Sequence, residues 1–417
     1  MAKLSKRELI LRVAAGGTLL GLGAIAPSHF PRSGGADRFD LVIKGGEVLD
    51  PSQKLRGKRD IAIHHARIAA IETDIPAAQA VQTLNAAGKL VTPGLVDLNA
   101  HVFAPGGLPP DELTGRAATT TSVSAGDTGA AAFPGFKRAV AQAHSRIFAF
   151  IHISYPGLAE FPWEMRDIRY AAAELAARVV AENPDLVLGV KVRPSGDVAG
   201  ESGIEPLRRA IQAAEQSGTK ARVMCGVGAA PGELPALLDL LRPGDILTHA
   251  YTSAGDSLVQ GGRVIPAALE AQRRGVVIDV GHGAGGFDYA VAEPALQQGL
   301  LPDTLSSDLR PGSPDAPGVP YLPWVMSKFL NLGLPLEQVV TMATATPGRI
   351  VGRVDKLGTL QVGAPADVAL FERVEGAVEF VDARANKRSG KEHLRPFQTV
   401  RAGQAFARPS QSLFKYT

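Results

Sequence analysis

The fold of this chain is decided by the stretch at residues 90–102, LVTPGLVDLNAHV. A β-rich run passes through a Pro-Gly turn signal into a short apolar strand at 95–99. The strand ends on two polar side chains, Asn99 and His101. The stretch therefore predicts a buried strand with polar groups at its C-terminal end, and the rest of the chain is interpreted outward from it.

Strands and amphipathic helices alternate over the middle of the chain. In one helical pattern Ile204, Leu207 and Ile211 share a face, and another pattern stops at Pro243. Repeated strand–helix units predict a parallel sheet, and eight of them predict a closed (β/α)8 barrel of the TIM type, whose active site lies at the C-terminal ends of its strands. The strands are predicted at residues 95–99, 119–125, 147–153, 186–192, 220–225, 245–249, 276–281 and 304–308.

Both ends of the chain are β-rich in a different way. Short alternating strands precede the barrel, and further strands return after residue 360 through the pattern LQVGAPADV. We therefore predict an α/β fold in which the barrel, residues 95–354, is inserted in a composite β-sandwich domain formed by residues 34–94 and 355–408. Residues 409–417 are predicted to be a tail.

The composition excludes several classes of protein. The 417 residues include 44 basic and 41 acidic side chains, and a net charge of +3 is too small and dispersed for a nucleic-acid partner. An apolar fraction of 45% is ordinary for a globular protein with a large core. A single cysteine, Cys225, excludes a framework of intramolecular disulfides.

The N-terminus predicts export. Residues 3–12 are basic and an apolar run follows, while SKRELI resembles a twin-arginine export motif with lysine in place of the first arginine. The small-residue site AIA is followed by Pro27, whose fixed φ suits cleavage poorly. Residues 1–33 are therefore predicted to be either a cleaved signal peptide or an uncleaved membrane tether. In both cases we expect a periplasmic protein, and in the second residues 1–26 associate with the membrane.

Metal-ligating and charged residue types recur where the predicted strands end. A lone buried histidine is most often a hydrogen-bonded core residue, and a lone aspartate is most often a helix cap. Histidines at the ends of three separate strands, together with a lysine and an aspartate at the same end of a barrel, instead predict a metal or catalytic site. In chain order, the residues at or just after the predicted strand ends are Asn99, His101, His152, Lys191, Arg193, Cys225, Gly226, His249, His282 and Asp308.

Together these motifs resemble the amidohydrolase superfamily, and in particular its dihydroorotase-like, deacetylase-type branch of metallohydrolases. The resemblance covers most of the chain after the N-terminal segment. It implies a centre in which histidines from strands one, five and six, a carboxylated strand-four lysine and a strand-eight aspartate hold two metal ions. The motifs that carry it are residues 93–101, 128–136, 189–193, 240–249, 279–285 and 301–308.

The resemblance also implies a function and residue roles. It implies hydrolysis of a non-peptide C–N bond in a small-molecule amide, cyclic amide or N-acyl compound, and a homo-oligomeric protein. Asp308 would act as the catalytic base, while His282 and Arg193 would orient the substrate. The implied metal ligands are His101, Lys191, His249 and Asp308, and Lys191 is the position that would be carboxylated.

Two positions depart from the family pattern. Asn99 stands where the first strand-one histidine is implied, and Gly226 falls on the strand-five histidine. A normal two-metal centre is therefore not expected, and we predict one divalent metal ion, zinc, held by the remaining ligands. Two alternatives stay open. His152 and Cys225 could be recruited as ligands, or the site is catalytically degenerate and the protein is a binding or assembly subunit of a complex at the membrane.

Overall fold

The computed structural model describes residues 38–103, 107–160, 164–227, 234–310 and 321–406. The predicted export segment at 1–33 and the predicted tail at 409–417 lie outside these ranges, so both stay predictions. Within the described residues, no helix combines the length and the apolar character that a bilayer crossing requires.

The described strands form two large sheets and one small hairpin. In chain order they are β1 (Phe39–Asp50), β2 (Leu55–His64), β3 (Arg67–Glu72), β4 (Ala80–Asn85), β5 (Leu90–Pro93), β6 (Leu95–Ala100), β7 (Thr119–Ala125), β8 (Arg146–His152), β9 (Val187–Val192), β10 (Arg222–Gly226), β11 (Ile246–Thr248), β12 (Val259–Gln260), β13 (Arg263–Val264), β14 (Val277–Ile278), β15 (Val368–Val381), β16 (Lys387–Arg401) and β17 (Gln404–Phe406).

The described helices fall mainly between the strands of the middle region. They are α1 (Pro110–Ala117), α2 (Phe133–Gln142), α3 (Ala173–Glu182), α4 (Gly196–Ala199), α5 (Glu205–Gln216), α6 (Leu234–Leu240), α7 (Pro266–Arg273), α8 (Tyr289–Gln297), α9 (Leu322–Asn331), α10 (Leu336–Ala343) and α11 (Ala345–Val351). The helix predicted from the spacing of apolar residues near 204–214 is confirmed as α5, which buries Leu207, Ala210 and Ala214 on one face.

The middle of the chain folds into a curled parallel sheet. Seven strands pair in the order β14-β11-β10-β9-β8-β7-β6, and every pairing is parallel. All residues of β6, β7 and β9 are buried, as expected for parallel strands covered on both faces. The prediction of an α/β barrel is confirmed.

The eighth barrel position is irregular rather than a regular strand. Residues 304–308 join the end of the sheet next to β14 through the Asp279–Thr304 bridge. On the other side Asp308 N donates to the backbone oxygen of Asn99 in β6 at 2.7 Å. Asp308 has a φ of +48°, which ends any strand at that residue. The segment thus closes the barrel even though its predicted strand does not form.

Strands from both ends of the chain share the second large sheet. Strand β5 pairs in parallel with β1 and antiparallel with β15, so the N-terminal and C-terminal strands meet directly before β6 begins. The connecting Gly94 has no room for a side chain, because a Cβ there would lie 2.3 Å from Thr120 Oγ1. This tight passage fixes where the first barrel strand starts, and it confirms the composite sheet.

Candidate active site

The C-terminal ends of the barrel strands bring four of the predicted residues together. Asp308 makes the closest contacts in the group, with His101 after β6 and His249 after β11. Lys191 in β9 is buried and within electrostatic reach of Asp308. The four residues implied as metal ligands therefore surround one buried point of the barrel.

His101 is oriented by a carboxylate that lies behind it. Asp127 accepts hydrogen bonds from Val102 N at 2.8 Å, Phe103 N at 3.2 Å and Ser124 Oγ at 2.7 Å. A carboxylate with three such donors is an ionised acceptor, so its close contact with His101 Nδ1 assigns the ring proton to Nδ1. The other ring nitrogen, Nε2, is left with its lone pair toward the barrel centre.

That lone pair faces the carboxylate of Asp308. The distance from His101 Nε2 to Asp308 Oδ1 is 2.9 Å, and both groups are buried. Two acceptors repel each other at this distance unless a cation lies between them, either a second ring proton or a metal ion. Burial alone would raise the pKa of Asp308, but the neighbouring His101 and His249 side chains hold it well below its usual range.

His249 and Asp308 sit on strained backbone. Their φ angles are +59° and +48°, in the left-handed region that most residues avoid. His249 Nε2 lies 3.6 Å from Asp308 Oδ2 and is buried without a hydrogen bond, while burial lowers the pKa of the ring. Such strain concentrates at functional sites, where the surrounding structure holds residues in place for chemistry.

Lys191 is a buried amine without an acceptor. Burial is the main reason that its pKa falls to about 8, and the nearby Asp308 opposes the shift. No hydrogen bond or ion pair joins Lys191 Nζ to another of the described residues. The amine is thus held in the site by packing rather than by a partner.

Asn99 takes part in a buried network of hydroxyl groups. Its Nδ2 donates to Thr248 Oγ1 at 2.9 Å, and Thr248 Oγ1 donates to Asp279 Oδ2 at 2.6 Å. Asp279 also accepts from Thr304 and Ser306, so the network ties β6 and β11 to the closing segment. Asn99 Oδ1 is buried and without a partner, which leaves one amide oxygen available.

Two side chains pack closely around Gly226, the position of the implied strand-five histidine. A Cβ at Gly226 would lie 3.2 Å from His249 Nδ1 and 3.5 Å from Arg193 Cγ. Arg193 Nη1 in turn donates to the buried carboxylate of Glu164 at 2.8 Å. A side chain at residue 226 would therefore press on His249, whereas its Cβ would be in ordinary van der Waals contact with Arg193.

The two residues considered as recruited ligands are not placed as ligands. Cys225 packs in the apolar core, and burial raises the pKa of its thiol to about 12, so it is not a thiolate. His152 Nδ1 accepts a hydrogen bond from Ser154 N at 2.9 Å, which occupies the lone pair of that ring. These observations contradict the recruitment alternative.

His282 lies at the end of the seventh barrel position, but protein partners occupy both of its ring nitrogens. Nδ1 donates to the carbonyl oxygen of Gly283 at 3.0 Å, and Nε2 accepts from Lys328 Nζ at 2.8 Å. The ring also stacks on Phe287 with centroids 4.8 Å apart. The orienting role of His282 toward substrate stays a prediction, and it would require the Lys328 bond to open.

Three comparisons with known proteins bear on this arrangement. No protein-family model matches the chain. A deacetylase of Enterococcus faecalis is 30% identical over 374 residues, which cover 88% of this chain and 99% of that protein. A deacetylase of Agrobacterium fabrum is 32% identical over 349 residues, 82% of this chain and 84% of that protein.

The chain belongs to the amidohydrolase superfamily. A crystal structure of a dihydroorotase matches it with a TM-score of 0.81 and 29% identity over 88% of this chain and 97% of that chain. Deacetylases and dihydroorotases are hydrolases of C–N bonds, so the membership predicted from the motifs is confirmed. The replacement of two metal ligands stays a prediction.

Two site residues of this amidohydrolase were missed by sequence reasoning. Asp127 follows β7 by two residues, and that strand-end position was the signal that could have found it. Glu164, the partner of Arg193, lies in a loop far from any strand end, and no local pattern marks it. Both were missed because their partners lie on other strands.

The spacing of the clustered side chains of this amidohydrolase can be compared with that of the ligands of one metal ion. As they stand, no three His, Cys, Asp or Glu side chains of the described residues are placed to hold a metal. However, ligands of one zinc ion lie about 3.3 Å apart when each is about 2.0–2.1 Å from the metal in a tetrahedron. The contacts of Asp308 with His101 at 2.9 Å and His249 at 3.6 Å bracket that spacing. The orphaned His249 Nε2 supplies an open lone pair for the same ion.

Proposed function

We propose that the protein hydrolyses a non-peptide C–N bond in a small amide, cyclic amide or N-acyl compound at a centre with one divalent metal ion, zinc being the expected ion. The supporting relatives are hydrolases of C–N bonds. Under this proposal the export signal at 1–33 places the reaction in the periplasm.

One observation carries the proposal. His101 Nε2, whose lone pair is set by Asp127, faces Asp308 Oδ1 at 2.9 Å in a buried site. Either a second ring proton or a metal ion would satisfy this pair, and the metal ion is favoured because His249 presents a third unpaired nitrogen lone pair beside it. When bound, a divalent ion would act as a Lewis acid on the carbonyl group and would lower the pKa of water.

Three side chains of the protein would carry out proton transfer and would orient His101 and the substrate. Asp308 is ionised, so it can accept a proton from attacking water and pass it to the leaving nitrogen. Asp127 holds the tautomer of His101, which keeps Nε2 directed at the reaction point. Arg193, braced by Glu164, is the proposed group that orients the substrate.

A single ion is proposed because the second ligand set is incomplete. Asn99 donates its Nδ2–H to Thr248, so only its amide oxygen remains as a ligand. An amide oxygen is a weak zinc ligand compared with imidazole. Gly226 has no side chain to act as a ligand. The space next to it is lined by Arg193 and His249. A guanidinium ion in that space further disfavours a second cation.

The test is hydrolysis by the untagged protein after chelation and after reloading with zinc in bicarbonate buffer. Candidate substrates are N-acyl amino acids, simple amides and cyclic amides. We expect at least one class to be hydrolysed, with loss of the rate on chelation and recovery with zinc. His249→Ala should lower the rate by on the order of 100-fold, whereas His144→Ala, at an exposed surface position, should leave it unchanged. A rate that persists in chelated protein would contradict metal dependence.

The second candidate is a non-catalytic binding or assembly subunit. It is favoured by the Asn99 and Gly226 positions and by the lack of three metal-ligating side chains in contact among the described residues. This candidate predicts that neither zinc nor any substrate class yields hydrolysis. The panel described above therefore separates the two functions.

A further inference from the structure

His152 occupies the end of β8 beside the candidate metal centre. It is fully buried and pairs in register with Lys191 of the neighbouring strand β9, so both side chains lie on the same face of the sheet. Its Nδ1 accepts from Ser154 N at 2.9 Å. A backbone N–H can only donate, so Nδ1 carries no proton and the ring is the Nε2–H tautomer.

The Nε2–H group of this tautomer has no partner. It is buried and makes no hydrogen bond to the described residues. A buried donor without an acceptor costs free energy, and such groups are rare unless a ligand, an ion or a modification completes them. The orphaned donor therefore indicates an acceptor that the unmodified chain does not supply.

The charged groups that surround the His152 ring are basic, so they supply no anionic acceptor. A Cβ at Gly126 would touch both Lys191 Cγ at 2.8 Å and His152 Cδ2 at 2.9 Å, so the Nε2 edge of the ring lies beside the Lys191 side chain. The charged groups that act on the ring are Arg193, Lys191 and His101, all of which are basic. The missing partner is therefore an anionic oxygen, and Lys191 is the adjacent residue that could carry it.

We propose that His152 Nε2–H donates a hydrogen bond to a carbamate formed on Lys191, and so holds this modification in a centre that has lost one metal position. The inference rests on the proposed function, because only a centre of that type gives the carbamate a use. It makes His152 a positioning residue rather than a metal ligand.

The modification balances without a further reactant. The neutral amine of Lys191 attacks the carbon of carbon dioxide, a C–N bond forms, and one C–O π pair moves to oxygen. The amine then releases one proton to water, which leaves a carbamate whose single negative charge is shared by two oxygens. With one ion instead of two, one of these oxygens lacks a cation, and the His152 donor is placed to satisfy it.

The experiment uses zinc-loaded, full-length protein equilibrated with carbon-13 bicarbonate, and carbon-13 NMR reports the carbamate fraction as bicarbonate is varied. We expect His152→Leu to require about ten-fold more bicarbonate or more, the size expected for loss of one hydrogen bond to a charged oxygen. His152→Gln retains an N–H near the Nε2 position and should need an intermediate concentration. His144→Leu, at an exposed histidine, is the matched control and should behave as wild type.

Several outcomes would overturn the inference, and they differ from failure of the proposed function. Equal carbamate fractions in wild type and in a folded His152→Leu or His152→Gln would show that the donor does not hold the modification. Absence of any carbamate at saturating bicarbonate, in protein that hydrolyses substrate with zinc, would remove the acceptor while leaving the hydrolase intact. Protein without zinc-dependent hydrolysis would instead reject the proposed function, whichever carbamate signal is seen.

Discussion

At the scale of single residues, the site depends on close contacts between backbone and side chains. Gly283 donates its N–H to Ser307 O at 2.9 Å and has a φ of +42°. A Cβ at this position would lie 2.0 Å from Asp308 Oδ2. Since real Cβ atoms do not approach so closely, the carboxylate of Asp308 keeps its place only because residue 283 is glycine.

Gly283→Ala should therefore displace Asp308 and damage the metal site. We expect at least a ten-fold loss of zinc affinity, measured by competition with a chromogenic chelator, together with about 1–2 kcal/mol of backbone strain from the positive φ. Gly285→Ala is the matched control, because a Cβ there meets nothing within 4 Å. Equal zinc affinities in the two variants would show that Asp308 does not bind the ion.

The residue scale also shows which parts of the site can be predicted from sequence. His101, Lys191, His249 and Asp308 follow or end barrel strands, so topology alone brings them together. Asp127 acts on His101 from the next strand, and its role depends on three-dimensional contacts that spacing does not reveal. The packing of His249 and Arg193 around residue 226 could not be predicted from sequence either, because it depends on contacts between separate strands.

At the scale of elements, a long ribbon joins the terminal sheet to the site. Strands β15 and β16 pair along 14 and 15 residues, and the turn between them carries Asp382. Asp382 accepts from Tyr289 N at the start of α8, and Lys328 of α9 donates to Val381 O and to His282 Nε2. The buried Lys328 thus connects the ribbon to the loop of His282 and Gly283, which lies against Asp308.

The buried Lys328 makes stability depend on pH. Burial lowers its pKa to about 7, and the nearby Asp382 opposes the shift. Between about pH 7 and pH 10 the unfolded chain therefore binds more protons at this lysine than the folded chain does, and stability contributed by the deprotonated amine rises with pH. The free energy of unfolding of wild type relative to Lys328→Met should increase across this window by a few kcal/mol, measured by urea unfolding.

The control for this prediction is Lys220→Met, at an exposed lysine. Its difference from wild type should stay flat over the same pH range, because an exposed ammonium changes its solvation little on folding. Parallel pH profiles for Lys328→Met and Lys220→Met would contradict the account of a buried, weakly basic amine.

The strand predictions are accurate for barrel strands that are buried along their whole length. They are wrong for the irregular segment that closes the barrel. Strand β7 matches its predicted range of 119–125, and β9 differs by one residue. The predicted strand at 304–308 is an irregular segment, since Asp97 and Ser306 side chains replace part of the backbone ladder. An apolar run identifies a buried segment, but it does not reveal which groups complete the hydrogen bonds.

At the scale of the whole molecule, an amidohydrolase fold holds a centre that we predict to be altered at Asn99 and Gly226. The barrel and the composite sheet agree with relatives that hydrolyse C–N bonds, and the motifs predicted both. The number of metal ions does not follow from sequence alone, because Asn99 and Gly226 affect different parts of the site. Asn99 donates its Nδ2–H to Thr248, and His249 and Arg193 pack around residue 226, and on these contacts we base the proposal of a single ion.

The most direct test of this account is the metal content of purified, untagged protein, measured by plasma mass spectrometry. We predict about one zinc ion per chain, the occupancy of a catalytic site with an open position, and loss of that ion in His249→Ala. Two ions per chain would contradict the single-ion centre. No ion, even after incubation with zinc and bicarbonate, would contradict the hydrolase and favour the non-catalytic subunit.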